Sequence, residues 1–139
     1  MNFKIRRAAK EDCKDISRMI MDLAIYEKMP DQVKISHEEL ERDGFCQNPL
    51  FECLVAEVPE EHKSNEGNGI GTALLSKVAE IGKKKQCVRL QLSVLNWNTP
   101  SRDFYAAKGA QDLTVTEGWH AIRFDGQNLD NLANEAPKD

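Results

Sequence analysis

The chain holds no C-x-x-C pair, no basic stripe and no apolar run near membrane-spanning length. Each absence excludes something. Without paired cysteines there is no ribbon-type metal site to expect, and Cys13, Cys46, Cys53 and Cys87 read as separate thiols. Three of the four sit at apolar positions of expected helices or strands, which suits buried reduced cysteine better than a disulfide or metal role. A formal net charge of −4 without a basic face argues against nucleic acid as a partner. It fits a cationic substrate. From Phe3 onward charged and apolar residues alternate, so the start is neither a signal peptide nor a membrane anchor. A cytoplasmic protein without a membrane partner is expected. His37, His62 and His120 fall in no ligand or triad spacing, so no metal and no histidine-based catalysis is assigned.

What is present suits one domain over residues 1–139, with 40% hydrophobic and 30% charged residues. A chain of this size buries roughly two-thirds of its unfolded surface. Phe3 and Ile5 alternate with Lys4 and Arg6 as a short strand. Cys13, Ile16, Met19, Ile20, Leu23 and Ala24 share a helical face that ends near Tyr26-Glu27. Ser36 and Glu39 form a capping box for a second helix that stops at Gly44. Phe51–Val58 reads as a strand, residues 59–68 as polar loop, and Thr72–Lys85 as a helix with Leu74, Leu75, Val78 and Ile81 on its buried stripe. Val88–Leu95 alternates strictly and predicts a strand. Asn98 caps a helix that ends at Gly109, Trp119–Phe124 is a last strand, and the tail from Asn128 is helical. This order predicts an α/β (α+β) fold: a mixed sheet with helices on both faces.

Chemistry concentrates at Gly67-Asn68-Gly69-Ile70-Gly71-Thr72, directly before a helix. Alternate glycines let the backbone approach a ligand, and a helix start offers unpaired N–H groups and the positive end of a dipole. A glycine-rich turn is the plainer alternative. A dinucleotide fingerprint is disfavoured by its spacing, and no Gly-Lys-Ser/Thr follows to make a Walker loop. About thirty residues on, Asn98 opens a helix carrying the adjacent pair Phe104-Tyr105. Two neighbouring helical residues cannot both face a core fully, so one is free to reach a site. A phenol with an ordinary pKa near 10 holds a proton at neutral pH and can give it to a departing thiolate. Phosphate cradle, strand and tyrosine helix together suggest transfer from a phosphate-bearing carrier such as acetyl-CoA. Glu117 near Trp119 is either surface charge and core, or the carboxylate and indole of an amine pocket.

At these residues the chain resembles the GCN5-related N-acetyltransferases (GNAT), within them the spermidine/spermine group, and most of all the thialysine N-epsilon-acetyltransferase branch. The resemblance runs through Ile5-Arg6-Arg7-Ala8, Tyr26-Glu27-Lys28, Cys53–Glu57, Gly67–Gly71, Val94–Asn98, Phe104-Tyr105 and Gly109–His120. It implies a mostly antiparallel central sheet, a homodimer, and direct acetyl transfer to a primary amine in a ternary complex. It further implies that Gly67, Asn68, Gly69, Ile70, Gly71 and Thr72 bind the cofactor pyrophosphate, that Asn98, Ser101, Tyr105 and Lys108 contact the rest of acetyl-CoA, and that Tyr105 is the general acid. Tyr26, Glu27, Gln91, Leu92, Ser93 and Glu117 would line the amine site. One departure stands out. The family places two strands between the segment matching Val55-Ala56-Glu57 and the glycine loop, whereas this chain has only Val58–Glu66 there. Either an internal segment is omitted, or this is a shortened variant with a broken central sheet, the alternative being a non-catalytic member that regulates a full-length partner.

Overall fold

The computed structural model describes residues 3–60 and 69–138. The chain forms two compact units, Met1–Ser93 and Val94–Asp139. In the first, β1 (Lys4–Arg7) pairs antiparallel with β2 (Leu54–Glu57), with Ile5 opposite Ala56 and Arg6 opposite Val55. The pairing runs on past the strands, since the Ala8 N–H donates to the Cys53 carbonyl at 2.9 Å. Lys4 stands directly across from Glu57, an opposite-charge pair that favours this register.

Helix α1 (Cys13–Tyr26) starts from a single 3-10 turn at Lys10–Asp12. The Asp12 carboxylate accepts two bonds from Arg6, at 2.8 and 3.1 Å, and one from the Ala9 N–H at 2.7 Å. The Arg6 guanidinium and then the Ala9 amide hold its pKa down at about 2. Helix α2 (His37–Gly44) carries the expected capping box: the Glu39 N–H donates to Ser36 Oγ at 3.2 Å, and the Ser36 N–H donates to Glu39 at 3.1 Å. Helices α1 and α2 pack together, and Cys13, Ala24 and Leu40 are the buried hydrophobic residues of the described chain. Helix α3 (Ile70–Lys84) packs against both strands. Glu52 fixes its far end by accepting from Arg7 at 2.7 Å and from Lys85.

In the second unit α4 (Thr99–Ala107) is followed by α5 (Leu113–Glu117) and α6 (Gly126–Asn134). The sequence reading needs correction in three places. Val88–Leu95 and Trp119–Phe124 are not strands: neither stretch makes a ladder among the described residues. Alternation supplies a strand with a face, but a ladder also needs a neighbouring edge. These segments have none, and Val88 and Ile122 are left 88% and 79% exposed. The short helix α5 was not expected at all. Among the thiols, Cys13 is buried and Cys53 half-buried, but Cys46 and Cys87 are exposed; none is paired. Among the described residues no helix is long and apolar enough to cross a membrane.

Candidate functional site

Gly67 and Asn68 of the glycine motif lie outside the described residues, as do the Glu66–Gly67 junction and His62. The rest of the motif builds the start of α3. Gly69 is its N-cap with φ +79°, in the left-handed region where a side chain is strained. Among the described residues a Cβ built there meets nothing within 4 Å. No side chain caps this end among the described residues. The helix begins two residues earlier than the sequence reading had it, so Ile70, Gly71 and Thr72 form its first turn. Their N–H groups are the ones a helix leaves without intrahelical partners. The first closing bond runs from the Ala73 N–H to the Gly69 carbonyl at 2.9 Å.

In the second unit α4 positions four expected site residues. Asn98 caps it: its Oδ1 accepts from the Ser101 N–H at 3.3 Å, and at 7% exposure Asn98 is the buried polar residue of the described chain. Phe104 and Tyr105 are both half-buried and meet edge to face, with ring centroids 5.4 Å apart. Lys108 sits with Nζ 5.6 Å from the centre of the Phe104 ring. Beyond it Gly109 takes φ +96°, and the Ala110 N–H returns to the Tyr105 carbonyl at 3.1 Å. Tyr105 thus lies on a helix fixed at both ends.

The amine-site residues are distributed. Tyr26 ends α1 and is exposed, while Glu27 is its half-buried C-cap. Gln91, Leu92 and Ser93 are exposed and lie in irregular backbone, not on the strand expected of them. Glu117 closes α5 and accepts from the Trp119 indole N–H at 2.6 Å. Both residues are exposed. Arg102 was overlooked. From the middle of α4 it donates to the Asn96 carbonyl at 3.1 Å and to Asp112 at 3.3 Å, and Asp112 in turn caps α5 through the Thr114 N–H at 3.1 Å. The Asp112-Leu113-Thr114 spacing is a cap signal that would have exposed α5 from sequence. Among the described residues no group of His, Cys, Asp and Glu is arranged to hold a metal.

Residues 62–110 match the model of the acetyltransferase (GNAT) family. The thialysine N-epsilon-acetyltransferase of Bos taurus is 41% identical over 170 aligned positions, covering 97% of this chain and 100% of the relative. That of Sus scrofa is 40% identical over 165, covering 94% and 97%. Since 97% of 139 residues is about 135, some 35 of the 170 aligned positions have no counterpart here. An integron cassette protein from the mobile metagenome of V. cholerae shares the fold with a TM-score of 0.66 at 21% identity, over 97% of this chain and 99% of that one.

Proposed function

Because this chain belongs to the GNAT acetyltransferase family and is an N-acetyltransferase of mixed α/β fold, we propose that it moves an acetyl group from acetyl-CoA onto a primary amine of a small cationic molecule. Thialysine, the substrate in its relatives' name, leads, and a polyamine comes second by the resemblance to spermidine/spermine acetyltransferases. The amine lone pair attacks the thioester carbonyl in a ternary complex. The C–S bond breaks as the tetrahedral intermediate collapses, and the Tyr105 hydroxyl gives its proton to the leaving thiolate. Glu27 and Glu117 hold the ammonium group remote from the reacting amine. A cytoplasmic homodimer completes the reading.

The acetyl-CoA assignment is supported by one observation above all: among the described residues the start of α3 carries no side-chain cap, and a Cβ at Gly69 meets nothing within 4 Å. A helix N-terminus of this kind suits a pyrophosphate. Gly71 is the position to test, because Gly69 is strained by any side chain whatever the ligand. Gly71→Val places a branched side chain on the first turn, where phosphate must approach backbone. CoA affinity measured by calorimetry is expected to fall at least tenfold. Unchanged affinity in a folded variant would remove the cradle assignment.

A further inference from the structure

Arg102 has no part in the chemistry proposed above, yet it ties together the two segments that flank the tyrosine helix. One arm of its guanidinium donates to the Asn96 carbonyl at 3.1 Å, just before α4, and the other to Asp112 Oδ2 at 3.3 Å, just after it. A planar, rigid fork holds two acceptors in a fixed relation, which a single ammonium does not. Asp112 divides its carboxylate in the same way: Oδ1 accepts from the Thr114 N–H at 3.1 Å and caps α5.

Little else fixes α5. A helix of five residues is too short to hold itself. Leu113 alone of the five is half-buried, and Val115 is 75% exposed, so apolar burial contributes little. Asp112 supplies the bonds that start it: besides the cap, its carbonyl accepts from the Val115 and Thr116 N–H groups at 3.1 and 3.0 Å and from Thr116 Oγ1 at 3.2 Å. Where Asp112 stands therefore sets where Glu117, the last residue of α5, stands. Arg102 sets where Asp112 stands relative to α4. Tyr105 does not depend on this link, because α4 keeps its Asn98 cap and the return bond from the Ala110 N–H to the Tyr105 carbonyl. On the amine role proposed for Glu117, we infer that Arg102 is a positioning residue: through Asp112 it fixes α5 against α4, and so the span between the leaving-group acid and the carboxylate that meets a second cationic group of the substrate. Arg102 thereby governs selection between amines with and without that second cation, and leaves the rate of transfer alone.

Arg102→Met keeps an unbranched stem and removes both bonds. Amide hydrogen exchange on the full chain gives a readout that needs no activity. The amides of Thr114, Val115, Thr116 and Gly118 are expected to exchange about threefold faster, a factor in the range of an exposed ion pair, while those of α4 are unchanged. In steady-state acetylation, KM for a diamine is expected to rise by about the same factor, while KM for a monoamine and kcat for both hold. In the double variant with Glu117→Gln that rise disappears, because Arg102 acts through the carboxylate already removed. Unchanged exchange in α5 overturns the inference. So does faster exchange in α4 and α5 alike with kcat falling on both amines, which would make Arg102 a general support of the unit. Glu117→Gln alone tells the two readings apart. If it leaves the diamine KM unchanged, the amine role of Glu117 falls and this inference with it; if it raises that KM and Arg102→Met does not, the inference alone falls.

Discussion

At the scale of single residues, Tyr105 carries the proposed chemistry. Its helix is capped by Asn98, and its carbonyl is tied to the Ala110 N–H, so the ring is set by backbone and by its contact with Phe104. Tyr105→Phe keeps the ring and its edge-to-face partner while deleting the proton. General-acid catalysis typically contributes 10²–10⁴-fold, and kcat is expected to fall by about that factor. Acetyl-CoA affinity should hold, and the loss should shrink for acyl donors whose thiol departs without protonation. A kcat within about threefold of the parent makes Tyr105 a packing residue. Asn98 serves as the N-cap of α4 through one accepted bond, which leaves its amide NH2 and its oxygen's second lone pair for a further partner.

At the scale of elements, the two long helices end the same way. Lys28 and Gln86 take left-handed backbone, with φ +62° and +66°, after α1 and α3. The following N–H groups return to Ala24 at 2.7 Å and to Gly82 at 2.9 Å. This termination usually calls on glycine, and a side chain there costs about 1 kcal/mol. Gln86→Gly is accordingly expected to stabilise by up to about that amount, seen as a higher midpoint in urea without a change in slope; a lower midpoint would show that Gln86 makes compensating contacts. The ends of these helices were legible because their apolar faces stop at Ala24 and Ile81, not because a stop residue marks them. Apart from the five-residue α5, helices with caps or a clear face were found to within two residues, since their bonds lie within the element. The segments Val88–Leu95 and Trp119–Phe124 were misread for the converse reason: a strand depends on a partner, and alternation says nothing of whether one exists. The helix starts at Gly69 and Asn98 were readable because each rests on a local signal. The Arg102–Asp112 bond was not, because it joins positions ten apart across a turn.

At the scale of the whole molecule, charge and catalysis make separate predictions. Glu52 draws β1, the start of β2 and the end of α3 together, and Lys85 with Arg7 holds its pKa down from 4.5 to about 2. A depressed folded-state pKa contributes stability that is complete above the unfolded value and is lost as pH falls toward the folded one. Stability is expected to decline between about pH 4.5 and pH 2, and Glu52→Gln should flatten that decline in thermal melts across the window. An unaltered acid profile would mean the bridge is too exposed to matter. The central claim is acetyl transfer, and one assay tests it most directly. The protein is mixed with acetyl-CoA and thialysine, free CoA thiol is followed by its colour reaction, and the amine is examined by mass spectrometry. The account predicts one acetylated amine for each thiol released, with both signals reduced together by Tyr105→Phe. Thiol release without acetylated amine, or acetylated amine formed at an undiminished rate by the Tyr105→Phe protein, would contradict it.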